Sequence, residues 1–296
     1  MKEKKLRIAV FGKRRQGEED FRRLVLLFER LTKGDVECYV ERRFYDALTR
    51  ALRVEIPVDR LIEGQNWDAD AAFSIGGDGT LLRTARCVAD KEIPIMGFNT
   101  GHLGFLAEEQ LGEAPAMVDR LIRGDYVVEE RSQLWVTAAS GVEMTDWPFA
   151  LNEIAVLRQD SANMISVNAE LDGKPVASYQ GDGLIVATPT GSTAYNLSVG
   201  GPVAEPSAPI WSIAPIAPHS LTMRPLVVSD SRVIEISVDT RSDSYRVSID
   251  GRTVTLAAHE RIVIARAPFV TRIIHCEGHN FFDTLRSKLL WGMSKR

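Results

Sequence analysis

Apolar and polar residues in the first part of the chain change period repeatedly, and each change marks an element. Residues 6–11 form an apolar run that predicts a buried strand. Phe21, Leu24, Val25, Phe28 and Leu31 then recur at helical spacing, and Gly34 supplies a stop. Val36, Cys38 and Val40 alternate with other residues as in a second strand. Residues 45–52 read as helix, and residues 70–75 and 93–98 as two more strands. Between these strands, Leu81, Leu82, Ala85 and Val88 predict a helix over 81–89. Strands that alternate with helices imply a parallel sheet with helices on its faces, where ligands bind beyond the carboxyl ends of the strands.

The texture changes near Gly124 and Asp125. Helical spacing fades, and short strand-like runs follow at 134–138, 152–157, 165–171, 184–187, 233–238, 245–249, 253–256 and 262–265. Asp172-Gly173 and Asp250-Gly251 are hairpin signals between such runs. Many short strands suggest a sandwich-like β domain. Residues 206–223 lack charge and carry Pro209, Pro215 and Pro218, which predicts an irregular, ordered connection and argues against a membrane helix. Residues 281–291 return to helix, with Phe282, Leu285, Leu289 and Leu290 on one face. The expected organisation is an α/β nucleotide-binding domain over residues 1–125 and a β-rich domain over 126–278. The C-terminal helix, 279–296, is expected to pack back on the first domain.

Composition narrows the class without naming it. The chain has 296 residues, 45% of them hydrophobic and 26% charged, as in ordinary globular proteins. A net charge of −4 offers no basic field for nucleic acid. The charged start lacks a signal-peptide core, so a cytoplasmic location and no membrane partner are expected. Cys38, Cys87 and Cys276 have no paired spacing and read as reduced thiols. The five histidines are not expected to cluster around a metal. His275 and His279 are four apart, but Gly278 interrupts any helix between them.

The candidate chemistry lies at turns. Gly76-Gly77-Asp78-Gly79-Thr80 joins a predicted strand to a predicted helix. Its glycines let backbone N–H groups converge on an anion, and the helix N-terminus favours phosphate. Asp78 would repel that phosphate, so it suits holding an attacking hydroxyl or meeting Mg²⁺. Residues 99–106, Asn99-Thr100-Gly101-His102-Leu103-Gly104-Phe105-Leu106, form a second glycine-bearing turn at an adjacent strand end. Asn152-Glu153 could hold a sugar diol, the amide donating and accepting while the carboxylate accepts. From Gly183 to Ala204 the chain is uncharged and rich in hydroxyls, with Thr190, Ser192, Thr193, Tyr195 and Ser198. That pattern points to a buried polar site for a nucleoside rather than a solvated loop.

These motifs, in this order, resemble bacterial NAD kinases over nearly the whole chain. The resemblance implies a Rossmann-like α/β domain followed by a β-rich domain, with the site between them. It implies transfer of the ATP γ-phosphoryl group to the 2′-hydroxyl of the adenosine ribose of NAD, with Mg²⁺ or another divalent cation accompanying ATP. Asp78 matches the proton acceptor, with Gly76, Gly77, Gly79 and Thr80 in the phosphate loop. Matching NAD-binding positions are Asp78, Gly79, Arg83, Asn152, Glu153, Asn163, Asp182, Thr193, Ala194, Tyr195, Asn196, Leu197, Ser198 and Arg252. Asp250 and Arg252 sit at a turn that the resemblance brings to the site from a neighbouring subunit, implying a homodimer or homotetramer. The glycine loop also resembles those of lipid kinases and phosphofructokinases. A kinase of a lipid or sugar hydroxyl, and a regulator that binds NAD without catalysis, are therefore the rival readings.

Overall fold

The computed structural model describes residues 5–101, 104–160 and 163–292. His102 and Leu103 of the second glycine turn, and residues 293–296 at the end of the C-terminal helix expectation, lie outside the described residues. The chain divides into two compact units, residues 1–130 with 271–296, and residues 131–270.

The first unit is an α/β layer structure. Its strands are β1 (Leu6–Gly12), β2 (Val36–Glu41), β3 (Arg60–Ile62), β4 (Ala71–Ile75) and β5 (Ile95–Asn99). They pair in parallel in the order β5-β4-β1-β2-β3. Helices α1 (Glu18–Leu31), α2 (Arg42–Leu52) and α3 (Asp78–Val88) connect them. Every residue of β4 and β5 is buried, which explains their unbroken apolar character. The strand order reverses between β1 and β4, so their carboxyl ends flank a topological switch point. A two-residue strand β6 (Glu109–Gln110) pairs with β5, and α4 (Ala114–Arg123) follows. The sequence reading does not assign α4, although Met117, Val118 and Leu121 supply its buried stripe.

The second unit is built from two antiparallel sheets. Its strands begin with β7 (Val127–Ala138), β8 (Phe149–Ala150), β9 (Glu153–Arg158), β10 (Ile165–Leu171), β11 (Lys174–Gly181) and β12 (Gly183–Ala187). After the single-turn helix α5 (Tyr195–Ser198) come β13 (Ile210–Ile216), β14 (Leu226–Ser229), β15 (Ile234–Asp239), β16 (Ser244–Ile249), β17 (Arg252–Ala257) and β18 (Ile262–His275). One sheet runs β11-β10-β15-β18 and the other β14-β13-β12-β9-β16-β17. Val167, Ile236 and Ile262 from the first share a core with Ile154, Leu184, Trp211 and Val247 from the second. β12 is buried along its whole length, because Ile185 and Ala187 pack on its other face with Ala155, Ile216 and the partly buried Val199.

β13 corrects the expectation of an irregular connection over 206–223. Trp211 and Ile213 need a core, and Pro215 is tolerated because β14 pairs only with residues 210–213. The proline therefore lies where the outer side of the strand carries no partner from β14.

β18 ends in the first unit, where Ile273 pairs with Ile95. The C-terminal helix α6 (Phe281–Leu289) follows, with Asn280 accepting the Phe282 N–H as its N-cap. Within this unit, Thr284 donates to Glu108 at 3.1 Å.

Candidate functional site

In the first unit, β4 ends at Ile75 and α3 begins at Asp78, so the glycine turn sits at a strand's carboxyl end. Gly76 N–H bonds to Phe98 O at 2.8 Å, which ties the turn to the end of β5. A Cβ on Gly76 would overlap the Thr80 hydroxyl, so the turn closes only with glycine there. Thr84 anchors the helix through Ser74 Oγ at 3.1 Å.

The carboxylate of Asp78 is held by the second turn. Oδ2 accepts from Phe105 N at 2.8 Å, and Oδ1 accepts from Leu106 N and Ala107 N at 3.0 Å each. A carboxylate offers four lone-pair sites, so among the described residues one site on Oδ2 is left for a hydroxyl. The two turns at adjacent strand ends thus meet at this side chain. Thr100, in the same second turn, has a buried hydroxyl without a partner among the described residues.

Two cations near these turns escape sequence reasoning. Lys13, just past β1, reaches Thr100 O at 3.4 Å. Lys288 on α6 has a buried Nζ without a hydrogen-bond partner among the described residues. Loss of water lowers its pKa, while the charges of Asp78 and Glu108 raise it. A lysine directly after the first strand's carboxyl end was a legible signal. Lys288, far along the chain, was not. Arg83 is drawn the other way: it pairs with Glu41 at 2.9 Å and donates to Gly12 O at 2.6 Å.

The second unit assembles its own constellation. The Asp250 carboxylate accepts from the N–H groups of Leu151 at 2.7 Å, Asn152 at 2.9 Å and Glu153 at 3.1 Å. It thereby shapes the Asn152-Glu153 corner from within its own unit. Burial, followed by the negative charge of Asp250, pushes Glu153 up to about 7, and the Tyr195 N–H pulls the other way. Glu153 Oε2 is a buried acceptor without a partner among the described residues. Gly191 lies against the Asn152 backbone so closely that a Cβ would collide with Asn152 O.

Several hydroxyls of the uncharged run bond within their own loop. Thr188 donates to Leu151 O at 2.5 Å and receives Gly191 N–H at 3.0 Å. Ser192 exchanges hydrogen bonds with Ala204, and Thr193 donates to Thr190 O. These hydroxyls hold the loop together, because a buried loop must satisfy its backbone internally. Asn196 is fully buried, donating to Pro202 O and accepting from Ser212. Tyr195 and Ser198 are exposed, while Thr193, Ala194 and Leu197 are half-buried. Asp182 pairs with Arg158 at 3.0 Å. Asn163 is half-buried just before β10. Arg252 spends its guanidinium on Trp147 O at 2.8 Å and Phe149 O at 2.9 Å.

His275 and His279 come together despite the glycine between them. His275 and His279 stack with 4.0 Å between ring centroids, and each lies beside Glu108. Gly278 interrupts a helix as expected, but with φ at +84° it turns the chain so that His279 N–H bonds back to Cys276 O. The turn brings the rings together where a helix could not form.

Residues 20–126 match the ATP-NAD kinase N-terminal domain and residues 151–276 the ATP-NAD kinase C-terminal domain. NAD kinase of Bacteroides fragilis is 42% identical over 98% of this chain and 100% of its own length. NAD kinase of Porphyromonas gingivalis is 42% identical over 98% of this chain and 99% of its own. Among solved structures, yeast NADH kinase complexed with NADH superposes with a TM-score of 0.85 at 22% identity, covering 100% of this chain and 90% of that one, a likeness of fold. An NAD kinase from Archaeoglobus fulgidus in complex with ATP superposes with a TM-score of 0.73 at 29% identity, covering 96% of this chain and 99% of that one. With two family domains matched in order and near full-length relatives at this identity, the chain belongs to the NAD kinase family.

Proposed function

We propose that this chain is an ATP-dependent NAD kinase with Asp78 as its proton acceptor. The reaction breaks the bond between the γ-phosphorus of ATP and its bridging oxygen, releasing ADP. It forms a bond from that phosphorus to O2′ of the adenosine ribose of NAD, giving NADP. The hydroxyl proton passes to Oδ2 of Asp78. Phosphoryl transfer is largely dissociative, so the carboxylate chiefly orients the hydroxyl and takes the proton late. The observation that carries this reading is the Asp78 carboxylate itself, fixed by three backbone N–H groups with one acceptor site remaining.

The other site residues take supporting roles in the proposal. Amides of Gly77 and Gly79, at the start of α3, bind phosphate, while Gly76 and Thr80 shape the loop, their N–H groups being held by Phe98 O and Gly77 O. Asn152 and Glu153 hold the ribose diol, and the exposed or half-buried members of 193–198 bind the nucleoside, with Asn163 and Asp182 beside it. Arg83, Asn196 and Arg252 position the loops, since protein partners already hold their polar groups. A divalent cation, Mg²⁺ or another, would accompany ATP and neutralise phosphate charge. The Thr100 hydroxyl, buried and without a partner among the described residues, is a hard oxygen donor that suits such an ion. We further read the protein as cytoplasmic and as a homodimer or homotetramer. No helix among the described residues is long and apolar enough to cross a membrane. With the family established, the lipid or sugar kinase and the non-catalytic regulator lose their support.

The test is NADP formation by purified protein with ATP, Mg²⁺ and NAD, followed with an NADP-specific dehydrogenase. Asp78→Asn is expected to lower kcat by roughly 10²- to 10⁴-fold while NAD still binds. Near-normal turnover by that variant would remove Asp78 from the mechanism. NAD binding without turnover by the native chain would overturn the kinase reading.

A further inference from the structure

Glu108, His275 and His279 come from three separate places in the first unit: the end of the second turn, the last residue of β18 and the turn before α6. His279 Nδ1 lies 3.0 Å and His275 Nδ1 3.5 Å from Glu108 Oε2, and one ligand atom from each residue lies within 4.8 Å of the others. Tetrahedral zinc with bonds of about 2.0–2.1 Å separates its ligand atoms by roughly 3.4 Å. The three atoms are spaced nearly as in a metal triad, although one imidazole must turn for its lone pair to meet the ion.

The outer partners support the same reading. His275 Nε2 lies 3.0 Å from Glu129 Oε2. An ionised carboxylate can only accept, so the imidazole donates there. In the neutral ring this leaves the Nδ1 lone pair facing the Glu108 carboxylate, acceptor against acceptor, an arrangement that a cation between them relieves. Carboxylate–histidine–metal relays have this form. Glu108 is itself oriented, because its Oε1 accepts from Thr284 of α6. His275 is buried and Glu108 and His279 are half-buried, so the ligands are confined but reachable.

We propose that Glu108, His275 and His279 bind a divalent transition-metal ion, zinc by ligand chemistry, with water completing the fourth position. Two imidazoles disfavour Mg²⁺, which prefers an all-oxygen shell, so this site is separate from the ion that accompanies ATP. The rings now stack within 5° of parallel. Their lone pairs cannot converge on one ion in that pose, so His279, on its glycine turn, rotates to bind. The ion would tie the end of β18 and the start of α6 to the chain beside β6.

The experiment uses untagged full-length protein, freed of metal by a chelator, without nucleotide or Mg²⁺. Co²⁺ is titrated by visible absorption and Zn²⁺ by calorimetry. One Co²⁺ per chain with the intense bands of a four-coordinate ion is expected, along with one Zn²⁺ that displaces it. His279→Ala should abolish both signals. Glu129→Gln should weaken binding by about 10- to 100-fold, the usual cost of losing such an outer partner. Zn²⁺ should raise the melting temperature of the native chain and not that of folded His279→Ala. No stoichiometric binding by the native chain, or binding unchanged in both variants, would overturn the proposal and leave a metal-free ionic cluster. These readouts are independent of NADP formation.

Discussion

The Cα of Gly104 lies so close to the Asp78 carboxylate that a methyl group in its place would overlap Oδ1. The glycine lets the backbone of the second turn wrap the side chain and offer it the N–H groups of residues 105–107. Gly104→Ala is therefore expected to push Asp78 away from its donors without opening the core. Displacement of a reacting group by about 1 Å can cost on the order of 100-fold in rate. A kcat loss of that size, with little change in the urea unfolding midpoint, is the expected result. Unchanged kcat would mean that the position of Asp78 is not critical.

Glu153 should give the NAD site its own pH dependence. Burial and the charge of Asp250 raise its pKa to about 7. An acid whose folded pKa exceeds its unfolded value near 4.5 favours the fold when protonated. That contribution is complete below about 4.5 and is lost as pH rises through about 7, a change of at most about 3 kcal/mol. Diol binding runs oppositely, because it needs the ionised acceptor. The KM for NAD is expected to rise roughly tenfold from about pH 8 to about pH 6. Glu153→Gln should raise KM and flatten this dependence; a dependence unchanged in that variant would assign it to another group.

Asp250 links the same corner to stability. Its Oδ1 accepts from Asn152 and Glu153, and its Oδ2 from Leu151. In Asp250→Asn one oxygen can still serve two donors, but an NH₂ group then faces the third N–H. Leaving a buried donor unsatisfied costs about 1–3 kcal/mol, readable by urea unfolding. Removing the charge should also shift the pH dependence of KM toward acid, by relieving Glu153. Loss of stability without that shift would separate the two carboxylates.

Much of the α/β half was legible because its signals are local. The apolar runs of β1 and β4 and the glycines after Ile75 need no distant partner to be read. The capture of Asp78 by residues 105–107 was not legible, since backbone N–H groups carry no sequence identity. The hydroxyl of Ser192 looked like a ligand contact but faces its own loop, because β12 is buried on both faces and the covering loop must satisfy itself. β13 was hidden by Pro215, whose tolerance depends on where β14 stops. The His275–His279 stack was hidden by the same glycine that makes its turn.

Lys288 offers the clearest test of a contribution from beyond the motifs. Its Nζ is buried without a hydrogen-bond partner among the described residues, in the fields of Asp78 and Glu108. A buried ammonium is costly unless charges compensate it, and here the compensating charges are carboxylates across the first unit. Lys288→Met keeps most of the stem and removes the charge. It is expected to leave stability equal or improved, since the desolvated ammonium is gone, while lowering kcat through loss of a cation beside the phosphate-binding turn. Lys288→Arg, which keeps a cation, should restore kcat in part. An unchanged kcat for Lys288→Met would instead assign the lysine to the packing of α6.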